Sequence, residues 1–158
     1  MPVFLRFLML LALVVWVGGI TFFSVLAPNV FAVLPTRQLA GNVVNRMLPI
    51  LHWMGLVSGV VFIGSSVLYS RMMTGFARPL AGRHVLVLLM LALTVISQFA
   101  IVPRMAALRT DMANIDNVPQ DDARRVEFNR LHVWSSRLEQ GVFLLGLATL
   151  FLVARRLH

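Results

Sequence analysis

At 158 residues, 59% hydrophobic and only 13% charged, the chain is too apolar for a soluble domain, where apolar residues make up about 45–50%. The absence of cysteine excludes disulfides, thiolate metal sites, iron–sulfur clusters and cysteine nucleophiles. The formal charge of +8 rests on arginines that flank apolar runs and form no basic face or tail, so no nucleic-acid partner is expected.

A membrane span needs about 20 apolar residues to cross roughly 30 Å of hydrocarbon. The first predicted span covers residues 7–27. Arg6 and Val25-Leu26-Ala27 imitate a signal peptide. The apolar stretch is too long for a signal core, however, and Pro28 would follow the cut directly, so an uncleaved span is expected. A mixed segment from Asn29 to Met47 follows, with Pro35-Thr36 as a helix start. The second span, 48–69, leads into a short basic loop carrying Arg71, Arg78, Pro79, Gly82 and Arg83. The third, 85–102, is bracketed by Arg83-His84 and Pro103-Arg104.

Residues 103–132 form a predicted polar hairpin. Arg104 to Met112 keeps helical period, Asn114 to Pro119 breaks it, and Asp121-Asp122 offers a cap for the next helix. Its Arg124, Arg125, Glu127 and Arg130 read as a solvated face. The fourth span, 133–154, stops at Arg155-Arg156. No run alternates as barrel strands do. The expected architecture is all-α: one domain, a four-transmembrane-helix bundle with a polar helical extension between spans three and four.

Every basic residue is arginine and none is lysine, a pattern of GC-rich bacterial coding that points to a multi-pass protein of a bacterial inner membrane. Its expected surroundings are the lipid bilayer, with a homo-oligomer or a partner membrane protein left open. The arginines divide almost evenly between the two sides, so the positive-inside rule assigns no orientation.

Spans two and four start from the same side of the membrane, and each start carries a histidine in similar company. Asn45-Arg46 leads to Leu51-His52-Trp53, and Asn129-Arg130 leads to Leu131-His132 with Trp134 beyond. Ser24 with Pro28 and Ser97 with Pro103 close the preceding spans, a pattern that looks like a duplicated two-helix hairpin. Helical spacing aligns His52, Gly55, Leu56 and Gly59 on span two, where Gly55 and Gly59 form a GxxxG pair suited to close helix approach. On span four it aligns His132, Ser135, Ser136 and Glu139. Ionisable groups in a membrane face the bundle interior or a wet cavity, so these stripes, with Gln98 and Gln140, predict a polar pocket in one leaflet. The other end is expected to be plain, with His84 and His158 interfacial.

Three readings of that pocket stay open. The histidines can set helix register through hydrogen bonds. They can bind a metal or haem: His52 and His132 supply imidazoles for copper or for the axial positions of haem b, and Met47, Met54 or Met105 supply a thioether that suits Cu(I). Or Glu139 and His132 can relay protons. No phosphate loop, serine triad signature or HExxH motif is present, so a non-enzymatic role is expected.

Several stretches in order resemble the family of domain of unknown function 4149, also called transmembrane protein 205-like. They are W-V-G-G at 16–19, A-P at 27–28, L-P at 34–35, A-G at 40–41, P-I-L-H at 49–52, S-Q-F at 97–99, P-R-M at 103–105 and F-N-R-L-H-V-W-S-S-R-L at 128–138. The resemblance implies a four-span bundle with no established reaction. The bundle is more distantly similar to copper-resistance D-type membrane proteins and to a haem-binding protoporphyrinogen oxidase, which implies metal or haem handling. Unlike a haem enzyme of that kind, the chain has no histidine in span one, where Trp16-Val17-Gly18-Gly19 stands. The alternative is an accessory subunit whose 103–137 hairpin contacts a partner.

Overall fold

A computed structural model describes residues 1–75 and 82–155. Arg78, Pro79, Arg156 and His158 lie outside them. Helix α1 spans Pro2–Val33 and α2 spans Arg37–Thr74. Helix α3 (Gly82–Ile96) runs through a π-helical turn, Ser97–Ile101, into α4 (Val102–Met112). A 3-10 turn, Ile115–Asn117, then leads to α5 (Ala123–Ala154). Four helical stretches are long and apolar enough to cross a membrane, with α3 and α4 counted as one, and no strand occurs among the described residues.

The helices outrun the apolar spans. At 38 residues, α2 is about 57 Å long, nearly twice the hydrocarbon thickness. The mixed segment Asn29–Met47 is therefore mostly helix, divided between the end of α1 and the start of α2. The α2 N-cap is Thr36, whose hydroxyl accepts the Leu39 N–H at 3.2 Å, and its C-terminus turns off at Gly75 with φ of 71°. Of the two aspartates expected to cap the last helix, Asp122 does so, accepting the Arg124 N–H at 2.8 Å.

Helices α1 and α3 each lie against both α2 and α5, which face one another across the bundle. Lipid gives helices no hydrophobic reason to associate, so close packing carries the assembly. The GxxxG stripe supplies it in a specific way: the Trp16 indole of α1 lies over Gly55 and Gly59, and a Cβ at either glycine would collide with the ring. Trp16, Leu13, Phe62, Val87, Met90 and Val142 form the buried core. Trp53 and Trp134 stay half exposed, as aromatic residues at a membrane interface do.

The polar extension is a folded hairpin with its own apolar cluster of Leu108, Met112 and Val118, against which Phe128 and Leu131 pack. Arg104 clamps Glu127 with two bonds of 2.8 and 3.0 Å, tying α4 to α5. The π turn between α3 and α4 has a local cause in Pro103. A proline donates no N–H, and in a continuous α-helix its ring would press on the Phe99 carbonyl. The chain widens there instead, and the Val102 N–H bonds to the Ser97 carbonyl five residues back.

A buried histidine pair opening on a groove

The helix diagonal brings His52 of α2 against Glu139 of α5. His52 is 1% exposed. Its Nε2 lies 2.7 Å from Glu139 Oε1, and its Nδ1 lies 2.8 Å from Gln98 Oε1. The π turn carries Gln98, so the widening at Pro103 stands directly beside this contact. Both partner atoms are acceptors, so Nδ1–H donates to Gln98 and one further proton lies between Nε2 and the carboxylate. Whether that proton sits on the imidazole or on the carboxyl, the pair is neutral overall, which makes it tolerable inside a membrane. Next to Gln98, the Ser97 hydroxyl is fully buried without a hydrogen-bond partner.

Glu139 is 16% exposed, and its open side faces a cavity of about 740 Å³ bounded by α1, α2, α4 and α5. Its α5 wall carries His132, Ser135, Ser136, Glu139 and Gln140, so the stripe predicted for span four is the polar wall of this groove. The opposite walls are mainly apolar, with Ile20, Phe23, Phe31, Val44 and Leu48. Arg37, Arg109 and Arg125 line it at the end nearest the hairpin.

His52 and His132 do not share one site. His132 is exposed along the groove wall, whereas His52 is sealed behind Glu139 and does not line the cavity. The duplicated pattern of the two helix starts thus gives two different environments. Met54 is 41% exposed and turned toward Gly19 of α1, Met47 is also partly exposed, and Met105 lines the groove. A metal or haem does not fit this donor set, because both His52 nitrogens are engaged. Among the described residues no group of three or more His, Cys, Asp or Glu is arranged to hold a metal ion.

Sequence reasoning passed over Gln38. Its backbone N–H donates to Asp116 at 3.1 Å and its side-chain amide to the Ala113 carbonyl at 3.3 Å, while its Oε1 accepts the Ile115 N–H at 3.2 Å. Arg109 donates to the Gln38 carbonyl at 3.0 Å and to Asn42 Oδ1 at 3.1 Å. Together they clasp the hairpin onto the start of α2 at the outer end of the groove. A glutamine in a mixed segment carries no motif, so only the fold reveals the clasp.

The end expected to be plain is not. His84 is 1% exposed and pairs with the Ser66 hydroxyl at 2.7 Å, which also accepts from Arg83 Nε at 2.8 Å. Ser66 and Thr149 are fully buried nearby in sequence order on α2 and α5. The sequence reading took His84 as interfacial because it stands beside Arg83 at a helix start. The helix face turns it inward instead.

The fold and site define a multi-pass membrane protein, a four-helix bundle with a buried polar pair opening on a groove in one half. The chain belongs to the DUF4149 family of unknown function, whose profile matches residues 11–114. His52 and Gln98 fall inside the matched stretch, and Glu139 and His132 beyond it. No curated protein and no solved structure matches the chain.

Proposed function

We propose that this protein is a non-enzymatic ligand-binding bundle of a bacterial inner membrane, which takes an amphipathic small molecule into the groove between α1, α2 and α5. The observation that carries the reading is the position of Glu139, which belongs at once to the groove wall and to the buried contact with His52. A carboxylate that only set helix register would be covered on all sides. This one is held in place from behind and presented to a cavity. A volume of about 740 Å³ lies within the roughly 300–1,000 Å³ of small-molecule sites, and mainly apolar walls with a few convergent polar groups are their usual make-up.

Metal or haem handling, which the more distant resemblances imply, finds less support. Ligation at His52 would require breaking its bond to Gln98 or to Glu139. The accessory-subunit reading is also weakened, since the inner face of the hairpin is occupied by the clasp on Gln38.

The test is extraction of the protein in mild detergent, followed by mass spectrometry of co-purifying molecules and by metal analysis and an optical spectrum. About one amphiphile per chain is expected, lost in Ser136→Trp, which fills the groove from an exposed wall position. Stoichiometric copper or a haem band that disappears in His52→Ala would replace this reading with the metal one. Failure of any amphiphile to co-purify or to bind after reconstitution would sink it.

A further inference from the structure

The groove has a charge imbalance that its ligand must answer. Among the described residues the ion pairs are His52–Glu139, Arg104–Glu127 and Arg124–Asp122. Arg37, Arg109 and Arg125 line the groove and belong to none of them. Arg109 spends its hydrogen bonds on neutral oxygens of Gln38 and Asn42, and Arg125 donates to the Val118 carbonyl. The nearest acid to this cluster, Asp116, is taken up by the Gln38 N–H. Three guanidinium groups from three different helices therefore converge on one cavity end with no carboxylate of their own. Such groups match the geometry of a carboxylate or phosphate better than any other side chain does.

The other end of the cavity has the opposite character. Ile20, Phe23, Leu48 and Phe143 line it, with no basic residue among them. Along α5 the lining runs from Arg125 to Phe143, a rise of about 27 Å at 1.5 Å per residue. The cavity is thus long, apolar at the inner end and cationic at the outer one.

Resting on the reading of the groove as a ligand site, we infer that its ligand is a single-chain anionic amphiphile. Its phosphate or carboxylate head lies among Arg37, Arg109 and Arg125, and its hydrocarbon chain runs inward along the phenylalanine wall. A cationic head would meet three like charges, and a head group without a chain would leave the apolar end empty.

Binding is measured on the full chain in nanodiscs of zwitterionic phosphatidylcholine, with three probes: palmitoyl lysophosphatidate, lysophosphatidylcholine of the same chain length, and glycerol phosphate. The lysophosphatidate should bind at least ten times more tightly than the choline form, and glycerol phosphate should not compete with it. Arg37→Gln combined with Arg125→Gln should weaken lysophosphatidate about tenfold and leave the choline form unchanged. Arg109→Gln should do the same, but it also loosens the clasp, so the Arg37 and Arg125 variants carry the decision. Equal affinity for the two amphiphiles, both lost in Ser136→Trp, would overturn the anionic assignment while the groove reading stands. Competition by glycerol phosphate would overturn the amphiphile assignment. Binding of no probe would remove both.

Discussion

His52 and Glu139 meet at 2.7 Å across the diagonal of the bundle, joining the two helices that α1 and α3 hold apart. Removing one member strands the other in a low-dielectric site. Breaking a buried pair costs about 3–5 kcal/mol, and the lower end applies here because Glu139 opens on the groove. His52→Ala and Glu139→Ala should each lower thermal stability in detergent. The double variant should lose less than the sum, with a coupling of about 1–3 kcal/mol. Glu139→Gln keeps a hydrogen bond to Nε2 and should be milder than the alanine. Additive losses in the cycle would show that the two side chains do not act together.

The Trp16 indole over Gly55 makes a second prediction. A side chain at Gly55 has no room against the rigid ring, so Gly55→Ala should destabilise by about 1–3 kcal/mol. Gly18, two positions after the tryptophan, has nothing within 4 Å of a would-be Cβ, and Gly18→Ala should be neutral or slightly stabilising. Unfolding midpoints of the two variants in the same detergent check the contrast.

The Ser97 hydroxyl is buried without a partner, and leaving a polar group in that state costs about 1–3 kcal/mol. Ser97→Ala should therefore be neutral or raise the unfolding midpoint, unlike most substitutions at a fully buried serine. A clear loss of stability would mean that the hydroxyl has a partner in the folded protein.

Outside the membrane, the Arg124 side chain and backbone N–H hold the Asp122 carboxyl down at about 2. A carboxylate whose pKa is depressed by folding adds stability above its unfolded value of about 3.9, and that contribution is lost as pH falls toward the folded value. The hairpin should thus loosen between about pH 4 and pH 2. Asp122→Asn should flatten that part of the profile, as followed by hydrogen exchange of the first turn of α5. Identical profiles for the two proteins would contradict the cap.

Much of this architecture was legible in the residues. Apolar runs and their flanking arginines mark four helices, and Thr36 and Asp122 cap as their chemistry suggests. Helical spacing correctly put His52 with Gly55 and Gly59, and His132 with Glu139, each on one inward stripe. Rotation about a helix axis is what spacing encodes. It does not encode which stripe meets which, so the matching histidines suggested each other as partners, while the fold pairs His52 with Glu139 and Gln98. Burial of His84 was hidden for a related reason: arginine and histidine side by side at a helix start read as interface, and only the neighbouring Ser66 decides otherwise.

The π turn at Pro103 has a consequence for everything after it. One residue more per turn sets the following helix out of phase with α3 by about 100°. Arg104 reaches Glu127, and Met105 and Arg109 reach the groove, only in that shifted phase. A single deletion between residues 97 and 101 would restore an unbroken α-helical count and swing Arg109 away from Gln38 and Asn42. The mouth of the groove therefore depends on an angular offset, so that a change in chain length with no chemistry of its own would undo it.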